Sequence, residues 1–126
     1  MAAILVVDDT ESVRQFISRL LEREGYTITT CERADAALAL FGAQHFDLVV
    51  TDIFMHGMDG LELIRELRGR SSMVPILAMS GDMSPTRKSV LKAAGAFGAL
   101  RTIEKPFTPS QFLGLVRELF GAAEAA

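Results

Sequence analysis

Polar side chains that can do chemistry follow four apolar segments of this sequence. Asp52 ends the segment DLVVTD, and Asp8 and Asp9 directly follow the segment AILVV. Ser80 follows PILAM, and Lys105 follows TIE. Short runs of apolar and β-branched residues with loop-like flanks are typical of buried strands. Each polar residue is therefore predicted to lie at the carboxyl end of its own strand.

The segments between these strands have the residue spacing of helices. In the first, apolar residues at positions 13, 16, 17, 20 and 21 form one helix face, and Gly25 ends the helix. Ser84-Pro85 and Thr108-Pro109 each combine an N-cap residue with a first-turn proline. Strands are predicted at 3–7, 26–31, 47–52, 74–79 and 102–104. Helices are predicted at 10–24, at 34–41 ending at Gly42, at 61–67 punctuated by Gly69, from Ser84, and from Thr108 to Gly121.

Five alternating strand and helix units predict an α/β fold, a doubly wound (βα)5 three-layer sandwich. Its parallel sheet is covered by helices on both faces and has right-handed crossovers. All strand carboxyl ends lie at one edge of such a sheet, where these folds bind their ligands. Residues 1–126 are predicted to form a single domain, with a frayed tail from about Gly121.

Three acids, a hydroxyl and an ammonium are thus predicted to meet at one edge of the sheet. Two ionised carboxylates about 4 Å apart repel by about 4 kcal/mol at an effective dielectric near 20. Either one of them takes up a proton or a cation binds, and oxygen-only ligands favour Mg²⁺. Ser80 can donate to a phosphoryl oxygen, and Lys105 can neutralise another. This set of groups fits acceptance of a phosphoryl group by a carboxylate.

The composition limits the partners and the compartment. The net charge of −3 argues against nucleic acid or an anionic membrane as a direct partner. Cys31 is the only cysteine, which excludes an intramolecular disulfide and a metal–thiolate cluster. The amino end does not have the pattern of a signal peptide, and no apolar run reaches membrane-spanning length. We therefore expect a cytoplasmic protein.

Four motifs carry a resemblance to a known family: VVDD at 6–9, VTD at 50–52 with MDG at 58–60, AMSG at 78–81, and KPF at 105–107. Taken together and in this order, they resemble the receiver domain of two-component response regulators over the whole chain. The resemblance implies a flavodoxin-like fold with strand order 2-1-3-4-5. A receiver is one of the examples that define this sheet order.

The resemblance also implies roles for individual residues. Asp52 is expected to accept phosphate from a phosphohistidine on a histidine kinase or phosphotransfer protein. Asp9, Asp52 and the backbone carbonyl of Phe54 are expected to bind Mg²⁺ directly, and Asp8 mainly through water. Ser80 is similar to the hydroxyl residue that moves onto the phosphoryl group.

Lys105 is similar to the lysine that lies beside the phosphoryl group in this family. A cis peptide is expected between Lys105 and Pro106. A downstream protein is expected to bind the face formed by the fourth predicted helix, the fifth strand and the fifth helix.

Three positions depart from the family pattern. Thr102 replaces an aromatic residue, so the usual aromatic switch on the output face cannot operate in its usual form. His56 replaces a proline, which predicts a looser loop. Phe54 replaces a more usual polar residue, and we hypothesise that its bulk shields the acyl phosphate from water.

Competing classes of function remain open at this stage. A phosphorylation-controlled switch, not an enzyme beyond its own phosphorylation and dephosphorylation, is favoured over a constitutive interaction module. An aspartyl-phosphate phosphatase is disfavoured, because it needs a second acid where Phe54 stands. A flavodoxin-type electron carrier is also disfavoured, because the acidic first loop would repel the flavin phosphate. Arg14 is predicted to be solvated or to contact the phosphodonor, and His45 to sit on a loop edge with nothing nearby to coordinate. The kinase, the pathway and the oligomeric state are not determined.

Overall fold

A computed structural model of the chain describes residues 2–55, 60–70, 73–81, 92, 94–95, 98–99 and 101–125. Strands and helices alternate along it as predicted. The start of the predicted fourth helix at Ser84 lies outside the described residues. The strands are β1 Ala3–Val7, β2 Thr27–Cys31, β3 Leu48–Asp52, β4 Ile76–Ser80 and β5 Arg101–Glu104. The described helices are α1 Glu11–Arg23, α2 Ala34–Ala43, α3 Gly60–Arg70 and the last helix, Pro109–Ala125.

The strands form one parallel sheet in the order β2-β1-β3-β4-β5. This confirms the parallel, flavodoxin-like sheet order that the family resemblance implied. In the register of the sheet, Val7 lies opposite Thr51, Asp52 opposite Met79, and Ser80 opposite Glu104. The last residues of β1, β3, β4 and β5 therefore reach the same edge of the sheet.

Side chains on the two faces of the sheet form two separate apolar clusters. In β1, Leu5 and Val7 belong to one cluster, while Ile4 and Val6 belong to the other, because successive side chains of a strand point to opposite faces. The first cluster includes Leu38, Leu63, Ile64 and Leu67 of α2 and α3. The second includes Ile17, Leu21, Phe112, Val116 and Leu119 of α1 and the last helix. Helices thus cover both faces, which confirms the predicted three-layer sandwich.

Several element ends differ from the predictions. Gly42 lies inside α2 and Gly69 inside α3, and the last helix continues past Gly121 to Ala125. Glycine ends a helix by taking a positive φ, which Gly25 does after α1 with φ of 90°, whereas neither Gly42 nor Gly69 has a positive φ. An internal glycine weakens a helix without breaking it.

The position of the Phe16 side chain and the bounds of the fourth strand were also predicted wrongly. Phe16 was assigned to the inner face of α1, but it is 41% exposed and contacts the ring of Phe107 with a centroid distance of 6.3 Å. Strand β4 begins after Pro75, which has no backbone N–H to donate to a neighbouring strand, and it includes Ser80.

The predicted start of the last helix is confirmed in detail. The Thr108 hydroxyl accepts a hydrogen bond from the Gln111 backbone N–H at 3.1 Å, and the Gln111 side-chain oxygen accepts one from the Thr108 N–H at 2.9 Å. This reciprocal pair satisfies backbone donors at the helix start. The pair sets the start of the last helix at Pro109, four residues after Lys105. None of the described helices is long and apolar enough to cross a membrane.

Candidate functional site

Asp52 is the last residue of the central strand β3 and is only 7% exposed. Its Oδ1 accepts a hydrogen bond from the Phe54 backbone N–H at 3.3 Å, and its Oδ2 lies 3.3 Å from Lys105 Nζ. Burial raises the pKa of Asp52 above its ordinary value, the Lys105 charge opposes this effect, and Asp8 adds to it. Lys105 therefore favours the ionised form of a carboxylate that burial disfavours.

Asp8 follows β1 and is completely buried. Its Oδ1 accepts a hydrogen bond from the Thr10 N–H at 2.9 Å, and its Oδ2 accepts one from Lys105 Nζ at 2.7 Å. Its backbone N–H donates to the carbonyl of Cys31 at 3.2 Å, and its carbonyl accepts from Arg14 Nη1 at 2.7 Å. All four polar atoms of Asp8 are thus held by the protein.

Lys105 follows β5 and reaches between the ends of β1 and β3. Its backbone N–H donates to the Ser80 carbonyl at 2.7 Å, which ties it to the end of β4. Burial alone would lower the pKa of Lys105, but the ion pairs with Asp8 and Asp52 outweigh it and raise the pKa. Lys105 is therefore an ammonium at neutral pH. The predicted cis peptide between Lys105 and Pro106 is present.

Asp8, Asp9 and Asp52 form an acidic cluster in which one carboxylate oxygen from each lies within 4.8 Å of the others. At this separation each ionised pair repels by about 3.5 kcal/mol at an effective dielectric of 20. One ammonium against three carboxylates leaves two negative charges, which a divalent cation neutralises. The ligand atoms are all oxygens, the type that Mg²⁺ prefers. The residues at this edge therefore fit the predicted Mg²⁺ site, and Asp9 is only half-buried.

Ser80 lies at the same edge of the sheet. It is the last residue of β4 and is 1% exposed, and it directly follows Met79, the partner of Asp52 in the sheet register. Gly81 comes next, and a Cβ atom there would lie 3.6 Å from the Lys105 side chain. A Cβ atom after Ser80 would therefore be in ordinary van der Waals contact with the lysine side chain.

Thr102 is placed away from the acidic cluster. It lies in β5 opposite Ala78, three residues before Lys105, and is half-buried. With Gln111 and Leu115 of the last helix it lines a groove of about 520 Å³. The position three before the lysine thus faces the groove between β5 and the last helix, and it carries no ring.

Two contacts near the site and at the opposite edge were not foreseen. Arg14, predicted to be solvated or to contact a phosphodonor, donates to the Asp8 carbonyl. His45, predicted to sit on a loop edge with nothing nearby to coordinate, lies 2.8 Å from Asp47 Oδ1, while the other oxygen of Asp47 accepts the Ala3 N–H at 2.8 Å. Both contacts join residues that are close in the sequence, two and six positions apart, but residue type and spacing alone did not indicate either hydrogen bond. His56 and the MDG motif lie largely outside the described residues.

Gly60, the last residue of the MDG motif, lies against the backbone at the end of β3, a role that the motif alone does not indicate. Its N–H donates to the Ile53 carbonyl at 2.7 Å. A Cβ atom at Gly60 would lie 2.5 Å from Ile53 Cα and 2.9 Å from the carbonyl carbon of Asp52. Only glycine lets the start of α3 pack this closely against the backbone of Asp52.

The structure is a five-stranded parallel α/β sandwich with a lysine and three acids at the carboxyl edge of the sheet. The chain matches the response regulator receiver domain over residues 4–117. It is 32% identical over 124 residues to the transcriptional regulatory protein FixJ of Bradyrhizobium diazoefficiens, an alignment that covers 98% of this chain and 58% of FixJ.

Solved structures give the same result. The chemotaxis response regulator CheY4 of Vibrio cholerae matches with a TM-score of 0.82 and 33% identity, covering 94% of this chain and 98% of that chain. The response regulator TrrA of Thermotoga maritima, solved in complex with Mg(2+)-BeF, matches with a TM-score of 0.83 and 32% identity, covering 94% and 99%. The chain belongs to the receiver domain family of two-component response regulators. It spans about half the length, or less, of the first curated relatives that it matches.

Proposed function

We propose that this chain is a phosphorylation-controlled switch in which Asp52 accepts a phosphoryl group from a phosphohistidine on a histidine kinase or phosphotransfer protein. The observation that carries the proposal is the position of the Lys105 ammonium, 2.7 Å from buried Asp8 and 3.3 Å from Asp52. Lys105 pairs with two of the acids, and the third, Asp9, lies close to both of them, so the cluster keeps more negative charge than one lysine can neutralise. Such an arrangement suits a site that binds a cation together with an anionic phosphoryl group.

In the proposed reaction, an Asp52 carboxylate oxygen forms a bond to phosphorus while the P–N bond to the donor imidazole breaks. The imidazole nitrogen keeps the electron pair of that bond and takes up a proton from solvent. Lys105 neutralises charge on the phosphoryl oxygens, and the Ser80 hydroxyl donates to one of them. The burial of Asp52 keeps bulk water away from the resulting acyl phosphate.

Asp9, Asp52 and the Phe54 carbonyl are proposed to hold Mg²⁺ directly, and Asp8 mainly through water. When bound, Mg²⁺ neutralises the acidic cluster and the phosphoryl oxygens during transfer. The similarity to TrrA, which was solved with Mg(2+)-BeF, supports this assignment. The all-oxygen set of ligands supports it independently.

Phosphorylation is proposed to act by shifting the protein between two surface states and not by creating a new enzymatic activity. Ser80 moves toward the phosphoryl group, and the change reaches the face that includes β5 and the last helix. A downstream protein binds this face in the cytoplasm, with no direct contact to nucleic acid or membrane. Thr102 supplies a smaller, hydroxyl-bearing side chain where an aromatic switch is usual.

The proposal is tested with a small-molecule phosphodonor and Mg²⁺, followed by intact-protein mass spectrometry. We expect one added phosphoryl group on the wild type and none on Asp52→Asn. Asp35→Asn, an exposed acid on α2, is the matched control and should be phosphorylated like the wild type. A wild type that gains no phosphate, or an Asp52→Asn variant that still gains one, would overturn the proposal and favour a constitutive interaction module.

A further inference from the structure

Arg14 is a half-buried residue of α1. Its Nη1 donates a hydrogen bond to the backbone carbonyl of Asp8 at 2.7 Å. Asp8 is completely buried, so this carbonyl is poorly placed to bond to water. A buried carbonyl without a partner is costly, and the guanidinium supplies the donor that this carbonyl needs. The contact joins α1 back to the loop that precedes it.

The Asp8 carbonyl belongs to the peptide group that joins Asp8 to Asp9. Because a peptide group is planar, a bond that fixes the carbonyl direction also fixes the plane that contains the N–H and Cα of Asp9. The Asp8 side chain is held separately by Thr10 and Lys105. The Thr10 bond spans the Asp8–Asp9 peptide from the side-chain end, and Arg14 holds the same peptide at its carbonyl.

We propose that Arg14 is a positioning residue for the cation site: it orients the Asp8–Asp9 peptide so that the Asp9 carboxylate faces Asp8 and Asp52. The inference rests on the proposed Mg²⁺ site. It assigns to Arg14 no contact with the cation or the phosphoryl group. Outer contacts that orient metal-binding groups are worth about 10- to 100-fold in metal affinity.

A simple charge effect predicts the opposite result. The Arg14 guanidinium is positive and lies beside the acidic loop, so its field alone repels a divalent cation. Removing that charge without any loss of geometry would strengthen Mg²⁺ binding. Positioning predicts weaker binding, and the sign of the change separates the two accounts.

The experiment is isothermal titration of MgCl₂ into the wild type, Arg14→Met and Arg14→Gln, with folding checked by circular dichroism. Arg19→Met and Arg19→Gln are matched controls, because Arg19 is an exposed arginine of the same helix. We expect the dissociation constant for Mg²⁺ to rise about 10-fold in the Arg14 variants. In the Arg19 variants it should stay within twofold of the wild type. Phosphorylation of the Arg14 variants should need more Mg²⁺ for the half-maximal rate but reach a similar rate at saturation.

Each alternative outcome decides a different claim. If the wild type binds Mg²⁺ and either folded Arg14 variant binds it within twofold or more tightly, the positioning role is wrong and the proposed function stands. An equal loss in the Arg19 variants also overturns the positioning role. If the wild type itself does not bind Mg²⁺, the proposed function fails at its cation site, and the role of Arg14 falls with it. Should the Met variant not fold, the more polar Gln variant decides.

Discussion

Replacing Asp52 with asparagine should stabilise the protein in the absence of divalent cations. The carboxylates of Asp8 and Asp9 each have an oxygen within 4.8 Å of one on Asp52, and each repels it by about 3.5 kcal/mol at an effective dielectric of 20. The Lys105 ammonium at 3.3 Å attracts it by about 5 kcal/mol in the same accounting. The two repulsions exceed the attraction by about 2 kcal/mol, and burial of the charge adds to this excess.

The pKa of Asp52 leads to the same sign. Burial raises the folded-state pKa of Asp52 above 3.8, its ordinary value. The cation-free protein therefore loses stability as the pH rises from 3.8 through the raised pKa, since ionisation costs more in the folded state than in the unfolded state. At neutral pH the full cost is present. An asparagine at this position has no charge and lacks this cost, while its amide oxygen still accepts the Phe54 N–H.

The assay is urea unfolding at pH 7 followed by circular dichroism, first with EDTA and then with excess MgCl₂. With EDTA, we expect the free energy of unfolding of Asp52→Asn to exceed that of the wild type by about 1–3 kcal/mol. With Mg²⁺, the wild type should gain more stability than the variant, because ligand binding stabilises only the state that binds it. Asp35→Asn loses the Arg33 ion pair in both conditions, so it serves as the control for the Mg²⁺ effect: its gain in stability from EDTA to Mg²⁺ should match that of the wild type. An Asp52→Asn variant that is less stable than the wild type in EDTA would refute the electrostatic reasoning.

Four further substitutions test other parts of the molecule. Gly60→Ala should destabilise the protein by about 1–3 kcal/mol in urea unfolding, because its Cβ would meet backbone atoms of the β3 end. In the same helix, Gly69→Ala should stabilise it by about 0.5–1 kcal/mol, since no atom lies within 4 Å of the added methyl group. The backbone N–H of Ala3 in β1 and the neighbouring His45 lower the pKa of Asp47 below its ordinary 3.8. The Asp47 carboxylate therefore stabilises the fold above pH 3.8, and this stabilisation is lost as the pH falls through the lowered pKa of the folded state. Urea unfolding at pH 2–6 should show this loss in the wild type and not in Asp47→Asn. The phosphorylated Phe54→Asn variant should lose its phosphate faster than the phosphorylated wild type, measured by mass spectrometry over time.

These predictions have clear contrary outcomes. Equal effects of the two glycine substitutions would mean that the close approach of α3 to β3 does not constrain the protein. A parallel pH dependence of the wild type and Asp47→Asn would remove the proposed role of that carboxylate. Equal rates of phosphate loss would dispose of the shielding role of Phe54.

The chemistry of the site could be predicted from the sequence because its signals are local. Apolar runs defined the strands, and the polar residue after each run marked a carboxyl end. In a parallel sheet these ends share one edge whatever the strand order is. Asp8, Asp52, Ser80 and Lys105 were therefore brought to the same edge by a rule that needs no knowledge of long-range packing. The strand order itself came from the family resemblance.

The predictions that went wrong depend on packing between distant segments. Phe16 has the spacing of an inner-face residue, but it is 41% exposed and its ring contacts Phe107, which lies far along the chain. Gly42 has the composition of a helix end, but it keeps helical geometry inside α2. In both cases a short pattern allows two structures of similar energy, and contacts made far along the chain select one of them.

The sequence by itself determined which groups the site contains: three carboxylates, a hydroxyl and an ammonium, each at the end of a strand. Only the tertiary structure decided how they are held, with Lys105 between Asp8 and Asp52, Arg14 on the Asp8 carbonyl, and Gly60 against the backbone of β3. The physical reason is one of range. Hydrophobic periodicity is written in neighbouring residues, whereas a hydrogen bond or a close backbone contact requires atoms that only the folded chain brings within a few ångströms.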